Sequence, residues 1–232
     1  MIKKVSILMP VKADTQEKMQ WFRLAWNSIF IQDWKGEMQI VVVDDYGNIP
    51  EAESMYTRVV TPEHKGLAYA LNYGLQFCTG DLIIRMDADD YAKSDLVSKH
   101  VAFFNEHPEV KICGVQLSAH HWETWKQLDG CWWPTHHPYV VTPEWAYHEG
   151  GFWFCNHPGM AYRRDFINRY AYREGGQMGM EDYCLWIDIL KSGELIFNRM
   201  DIGVEYRYKE PVGRNEKKFK LALQTEKNKL KP

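Results

Sequence analysis

The sequence of 232 residues contains no run of about 18 apolar residues, the length a membrane-crossing helix requires. It is poor in cysteine: Cys78, Cys113, Cys131, Cys155 and Cys184 lie far apart, with no C-x-x-C pair. An odd number of scattered thiols speaks against a disulfide framework and for reduced thiols in a cytoplasm. The opening apolar run, Val5 to Met9, is too short for a secretion signal. The expected location is therefore cytoplasmic, free or peripheral to a membrane. Internal repeats and low-complexity tracts are absent. So is a strong charge of either sign: the net charge is −3, where a general nucleic-acid binder would be strongly basic.

What is present is aromatic. Phe, Trp and Tyr make up 14% of the chain, with ten Trp, a residue enriched where proteins meet sugars, bases or other proteins. Six of the ten (Trp122, Trp125, Trp132, Trp133, Trp145, Trp153) fall between His120 and Pro158, a stretch rich in His, Pro and Gly with no clear period. Trp faces stack on sugar rings and on bases alike, and they also pack subdomains together.

The first half alternates. Apolar runs predict strands over 5–9, 38–43, 58–60, 81–86 and 110–117. Helical spacing predicts helices over 17–31 and 65–78, the second ended by Thr79-Gly80, and over 94–107 with Ser94 as cap. A further helix begins near Glu181 and stops at Lys191-Ser192-Gly193, followed by strands over 195–198 and 203–208. This order predicts a Rossmann-like α/β fold with a mostly parallel, doubly wound sheet flanked by helices. From Arg214 onward seven basic residues face two acidic ones, read as a solvated terminal helix or as a patch for an anionic surface.

Ligands of such sheets bind outside the carboxyl ends of the strands. Two acidic clusters sit there: Asp44-Asp45 after Ile40 to Val43, and Asp87-Ala88-Asp89-Asp90 after Leu82 to Met86. Alternate carboxylates suit a hard cation such as Mn²⁺ or Mg²⁺, which would neutralise a departing diphosphate. The plainer readings are solvated turns and a strand-end cap at Asp44-Asp45. Glu181-Asp182 at a helix start is either a dipole-stabilised cap or a catalytic pair kept ionised by that dipole.

In this order the residues resemble family 2 glycosyltransferases of GT-A fold: Val5 to Val11 as the opening strand, Ser28-Ile29 to Gln32, and Val42-Val43-Asp44-Asp45. The likeness continues through Lys65-Gly66 to Leu75, Thr79-Gly80-Asp81, Asp87 to Asp90, His157-Pro158 to Arg163-Arg164, and Glu181-Asp182-Tyr183 with Trp186. The resemblance implies an inverting transfer of a sugar from a nucleotide-sugar, by default a UDP-sugar, aided by Mn²⁺ or Mg²⁺. It implies that Pro10, Val11, Asp44 and Asp45 line the nucleobase and ribose pocket, that Asp87 touches the ribose, and that Asp89, with Asp87, binds the metal. Asp182 would be the general base and Glu181 would orient acceptor or base.

Members often carry a His after the last strand, but Tyr206-Arg207-Tyr208-Lys209 has none. Arg207, Lys209 or Arg214 is then expected at the phosphates, and Lys65 in the donor site. His157, Trp153 and Arg163 are candidates for acceptor or phosphate contact; His157 reads equally as a turn histidine, and Arg163 as an ion-pair residue. Residues 1–118 are assigned to the donor, 119–210 to an aromatic-rich acceptor and catalytic half of the same domain, and 211–232 to a basic tail. The acceptor would be a glycan or a lipid-linked sugar, and less expectedly a nucleic-acid base. The alternatives are a nucleotidyltransferase, which would carry a Gly-rich basic loop where Pro10 to Asp14 stand, and a non-catalytic sugar- or nucleotide-binding module.

Overall fold

The computed structural model describes residues 1–49, 56–62, 66–129, 133–151, 153–174, 179–209 and 215–231. Its centre is one twisted sheet. Strands β1 (Lys4–Val11), β2 (Glu37–Asp44), β3 (Thr57–Val60) and β4 (Leu82–Arg85) form one half, all parallel, in the order β3-β2-β1-β4. β6 (Ile112–His121) and β10 (Ile196–Tyr208) pair in parallel to form the other half. Between the halves lies β9 (Ala161–Arg163), antiparallel to both β4 and β6. Short strands β5 (Tyr91–Ala92), β7 (Gln127–Leu128) and β8 (Val140–Val141) pair antiparallel with β10, β6 and β10. The long strands are thus parallel, as expected, while β9 and the two-residue strands β5, β7 and β8 run antiparallel and make the sheet mixed, which no local pattern announced. The expected boundary at residue 118 falls inside β6, so the two halves share one sheet.

Both faces are covered, which is why the strands are apolar runs rather than alternating patterns. On one face lie α1 (Gln16–Phe30), which buries Phe22, Ala25 and Ile29, and α3 (Leu96–Glu106), which buries Leu96, Val97, Val101 and Phe104. Thr15 caps α1 by accepting from the Lys18 amide. On the other face lie α2 (Leu67–Leu75), α4 (Pro143–His148), α5 (Arg164–Ile167), α6 (Glu181–Lys191) and α7 (Glu216–Lys227). α6 is apolar nearly all round, because the sheet lies on one side and α7 contributes Phe219 and Leu223 on the other. Arg173 binds Asp188 of α6 and, at 2.8 Å, Glu226 of α7. The basic tail is therefore a docked helix with a solvated outer face carrying Lys217, Lys218 and Lys220.

Three local expectations are corrected. Asp95, not Ser94, holds the N-cap position of α3. Thr79-Gly80 does not end α2, which stops at Leu75. Gly80 instead presses on β1: a Cβ there would lie 2.4 Å from the Ser6 amide nitrogen. Gly80→Ala is expected to cost about 1–3 kcal/mol through that collision, read as a lower denaturant midpoint at constant slope. Finally, the strands foreseen over 195–198 and 203–208 are one strand, β10, whose register slips between Asn198 and Val204.

Candidate active site

β1 and β2 end side by side, with the Asp45 amide donating to the Val11 carbonyl at 3.0 Å. Pro10 and Val11 are buried at this edge. The two adjacent aspartates part company because successive side chains of a strand point to opposite faces. Asp44 is fully buried and its carboxylate builds the next turn: it accepts from the amides of Tyr46, Gly47 and Ile49 and from Arg58 Nε and Nη2. Asp44 was expected at the nucleobase. The structure corrects this, since its oxygens are occupied by the fold. Asp45, which accepts from Thr61 Oγ1 at 2.9 Å, remains at the edge.

β4 delivers the second acidic cluster. Carboxylate oxygens of Asp87, Asp89 and Asp90 lie within 4.8 Å of one another. Asp90 Oδ1 accepts from the Arg207 amide at 2.8 Å, while its Oδ2 is buried with no partner among the described residues. Burial and the Asp87 charge push Asp89 up to about 6; burial and its two neighbours push Asp90 well above the usual carboxylate range. Three oxygen donors that repel one another around an orphaned buried oxygen fit a hard divalent cation. Asp87 and Asp89, the expected ligands, stand together here, and Asp90 stands with them.

Arg85, the last residue of β4, was not singled out in the sequence. It is only 1% exposed, and its Nη1 binds Asp87 Oδ2. Its backbone holds the next piece of the site: the Gly159 amide donates to the Arg85 carbonyl, and the Arg85 amide to the Met160 carbonyl. This places His157 beside it. His157 Nε2 lies 3.0 Å from the Tyr172 hydroxyl, which contacts the Tyr162 hydroxyl at 3.1 Å, and Nδ1 lies 3.9 Å from Glu181 Oε1. Burial and the Arg85 charge hold the His157 pKa well below its ordinary value, so the ring is neutral. It buttresses Glu181 from within the fold and offers no cation to a phosphate. The signal for Arg85 was in the sequence: a lone cation at the end of an otherwise apolar buried strand is costly unless paired.

Glu181 and Asp182 open α6. Asp182 is buried, and its Oδ1 accepts from the Tyr183 amide at 2.7 Å. Burial, then the Glu181 charge, raises Asp182 to about 7, against the pull of Arg85 and the amide. The expectation that the helix dipole keeps this carboxylate acidic is thus corrected: desolvation outweighs the dipole. Glu181 is raised too, by burial first. Phe154, Cys155, Trp186 and the half-exposed Trp153 surround Asp182, and Trp153 Nε1 reaches Asn156 Oδ1.

One expected contact lies elsewhere. Arg163 pairs in register with Leu82, at the opposite end of β4 from Arg85, and its guanidinium donates to the carbonyls of Val110 and Phe104. It closes the end of α3 and is not at the site. Arg207 is clamped: Nε donates to the Asp89 carbonyl and Nη1 to the Trp122 carbonyl, with the Trp125 and Trp21 rings 4.3 and 5.0 Å away. It shapes the acidic loop through the backbone, beside Asp89 and Asp90. Lys65 and Arg214 lie outside the described residues. Among the described residues no helix is long and apolar enough to cross a membrane, and Cys78, Cys113, Cys155 and Cys184 are buried free thiols.

The profile of glycosyl transferase family 2 matches residues 6–171, from β1 through the metal loop to beyond His157. The chain belongs to that family. An uncharacterized glycosyltransferase of Haemophilus influenzae is 30% identical over 213 residues, covering 88% of this chain and 76% of that protein. S. aureus TarS 1-349 in complex with UDP-GlcNAc superposes with a TM-score of 0.66 at 18% identity, over 90% of this chain and 59% of that one. The mannosyltransferase PcManGT of Pyrobaculum calidifontis, in complex with GDP-Man and Mn²⁺, gives 0.62 at 17% identity, over 95% and 61%. At these identities the two solved structures speak to the fold, which is that of the GT-A transferases. This family 2 glycosyltransferase spans about 60% of the length of those two chains.

Proposed function

We propose that this family 2 enzyme transfers a sugar from a nucleotide-sugar, by default a UDP-sugar, to an acceptor hydroxyl with inversion. The observation that carries the reading is the line of groups across the end of β4. The acidic triad, the buried Arg85 bound to Asp87, and the Glu181-Asp182 pair sensing Arg85 form one connected charge system. Pro10, Val11 and Asp45 hold the nucleoside at the ends of β1 and β2. Asp87, Asp89 and Asp90 hold Mn²⁺ or Mg²⁺, which when bound supplies charge neutralisation for the departing diphosphate. Asp182 takes the proton of the acceptor hydroxyl as its oxygen forms the new bond to the anomeric carbon. The bond from that carbon to the diphosphate breaks on the opposite face, and the nucleoside diphosphate leaves with the electron pair. A carboxylate titrating near 7 is matched to that task at neutral pH.

In this reading residues 1–118 serve the donor and 119–210 the acceptor and base, with Trp153 near Asp182. The acceptor is a glycan or a lipid-linked sugar. Family membership leaves the nucleotidyltransferase alternative without support, and a non-catalytic module would not need Asp89 and Asp182 together. Thermal-shift measurements with a panel of nucleotide-sugars, with and without Mn²⁺, test the donor site. One nucleotide-sugar is expected to raise the melting temperature only with metal, and Asp89→Ala to abolish the shift. If no nucleotide stabilises the protein in a metal-dependent way, the reading is wrong.

A further inference from the structure

Tyr162 of β9, Tyr172 and His157 form a chain of polar contacts that ends at Glu181. All three side chains are buried. The Tyr162 and Tyr172 hydroxyls lie 3.1 Å apart, and the Tyr172 hydroxyl lies 3.0 Å from His157 Nε2. His157 Nδ1 lies 3.9 Å from Glu181 Oε1. The Trp186 ring meets the imidazole at 87°, with centroids 5.7 Å apart, and limits how the ring can turn. Tyr172 is itself anchored from α2: its amide donates to Asn72 Oδ1 and its carbonyl accepts from Asn72 Nδ2, both at 2.8 Å. Burial and the Arg85 charge keep the imidazole neutral, so it carries one proton with two nitrogens to hold it. Among the described residues Tyr162 has no hydrogen-bond partner but Tyr172, so the chain from Tyr162 to Nε2 has two links. With the ring proton on Nε2, three protons compete for those links, and one hydroxyl proton is left buried with no acceptor. A lone pair on Nδ1 would then also face the Glu181 carboxylate. With the ring proton on Nδ1, Tyr162 donates to Tyr172, Tyr172 donates to Nε2, and the remaining N–H points at Glu181.

We propose that Tyr172, backed by Tyr162, is a positioning residue of this enzyme: it holds His157 in the form protonated on Nδ1 and aims that N–H at Glu181. The inference rests on the reading that Glu181 and Asp182 orient and deprotonate the acceptor. A separation of 3.9 Å is too long for a hydrogen bond in the free protein, and contacts of this kind tighten in the substrate complex. The N–H then fixes one oxygen of Glu181 and leaves the other to accept from the acceptor hydroxyl. The tyrosines touch neither substrate nor Glu181, and they act only through the imidazole.

Long-range ¹H–¹⁵N spectra of histidine-labelled protein test this, with His157→Asn assigning the signal. In the wild type the proton is expected on Nδ1. It is expected to stay there in Glu181→Ala, because the tyrosines set it, and to spread over both nitrogens in Tyr172→Phe/Glu181→Ala. Hydrolysis of UDP-glucose, UDP-galactose and UDP-N-acetylglucosamine with Mn²⁺ gives a second readout. Tyr172→Phe is expected to lower its kcat about tenfold with KM unchanged. In a His157→Asn background, where a side-chain amide takes the place of the Nδ1–H donor, Tyr172→Phe is expected to change nothing further. The proposal is overturned by a proton on Nε2 in the wild type, by its displacement in Glu181→Ala, or by its staying on Nδ1 in the double variant. Unchanged turnover in Tyr172→Phe, or an equal loss with and without His157, overturns it as well. Absence of hydrolysis of all three UDP-sugars by the wild type counts against the transferase reading alone, since the spectra need no turnover and still decide the proposal.

Discussion

Replacing Asp182 with Asn is expected to lower turnover by about 10²–10⁴ while leaving nucleotide affinity intact. The change keeps the shape of the side chain and removes its capacity to accept a proton. Its pH signature follows from the raised pKa. Asp182 is protonated below about 7, so kcat/KM of the wild type falls as pH drops through 7, and the residual activity of the variant lacks that limb. Stability moves the opposite way. The pKa is raised from 3.8 to about 7 on folding, so the native state favours the neutral acid. The associated stability is present at low pH and is lost as pH rises through 7. Above pH 7 the Asn variant is therefore expected to melt higher than the wild type, and calorimetry at pH 8 measures it. A variant slower in turnover and more heat-resistant is the pattern of a strained functional group. Equal turnover in the two proteins would remove Asp182 from the chemistry.

The second large effect is expected at Arg85. Arg85→Met leaves Asp87 with no buried countercharge and removes the cation that Glu181 and Asp182 sense. Asp87 is 24% exposed, so loss of its partner costs less than in a fully buried pair, about 1–3 kcal/mol. For a chain of this size that is a drop in melting temperature of roughly 2–12 °C. The double variant Arg85→Met/Asp87→Asn removes both charges and is expected to recover much of the stability, but none of the turnover. A double-mutant cycle measures the coupling, and a coupling near zero would mean that the two side chains do not act as a pair.

Much of this site was legible before the coordinates. The strands β1, β2 and β4 are continuous apolar runs because they are buried on both faces, and β2 and β4 lead into the acidic residues the sequence marks. The start of α6 was legible as well, since its apolar spacing begins at Glu181-Asp182. What was not legible depends on partners distant in sequence. Asp44 and Asp45 look alike in a row of letters, and only strand alternation sends one into the turn and the other to the edge. Arg163 and His157 both belong to a stretch with the look of a binding segment. Register places them at opposite ends of β4: Arg163 opposite Leu82, and His157 just before the Gly159 amide that binds the Arg85 carbonyl. The pKa of Asp182 was misjudged because the dipole is local and visible, whereas its desolvation is a property of the whole packed site. Arg207 reads as a phosphate ligand, and its bond to Trp122, 85 positions earlier in the chain, is not legible.

The antiparallel strand β9 has a consequence for how the chain comes together. β4 and β6 are not neighbours; they are joined through the three residues Ala161–Arg163. During synthesis β4 and β6 are complete by His121, and about 40 residues must follow before β9 arrives to sit between them. Over that interval the facing edges of β4 and β6 stay unpaired in the nascent chain, the condition under which chains pair with the wrong partner. That link also joins the strand that leads into Asp87, Asp89 and Asp90 to the strand that pairs with β10. Folding yield and the placing of the Asp87–Asp90 loop against the rest of the sheet are therefore tied to the same three residues.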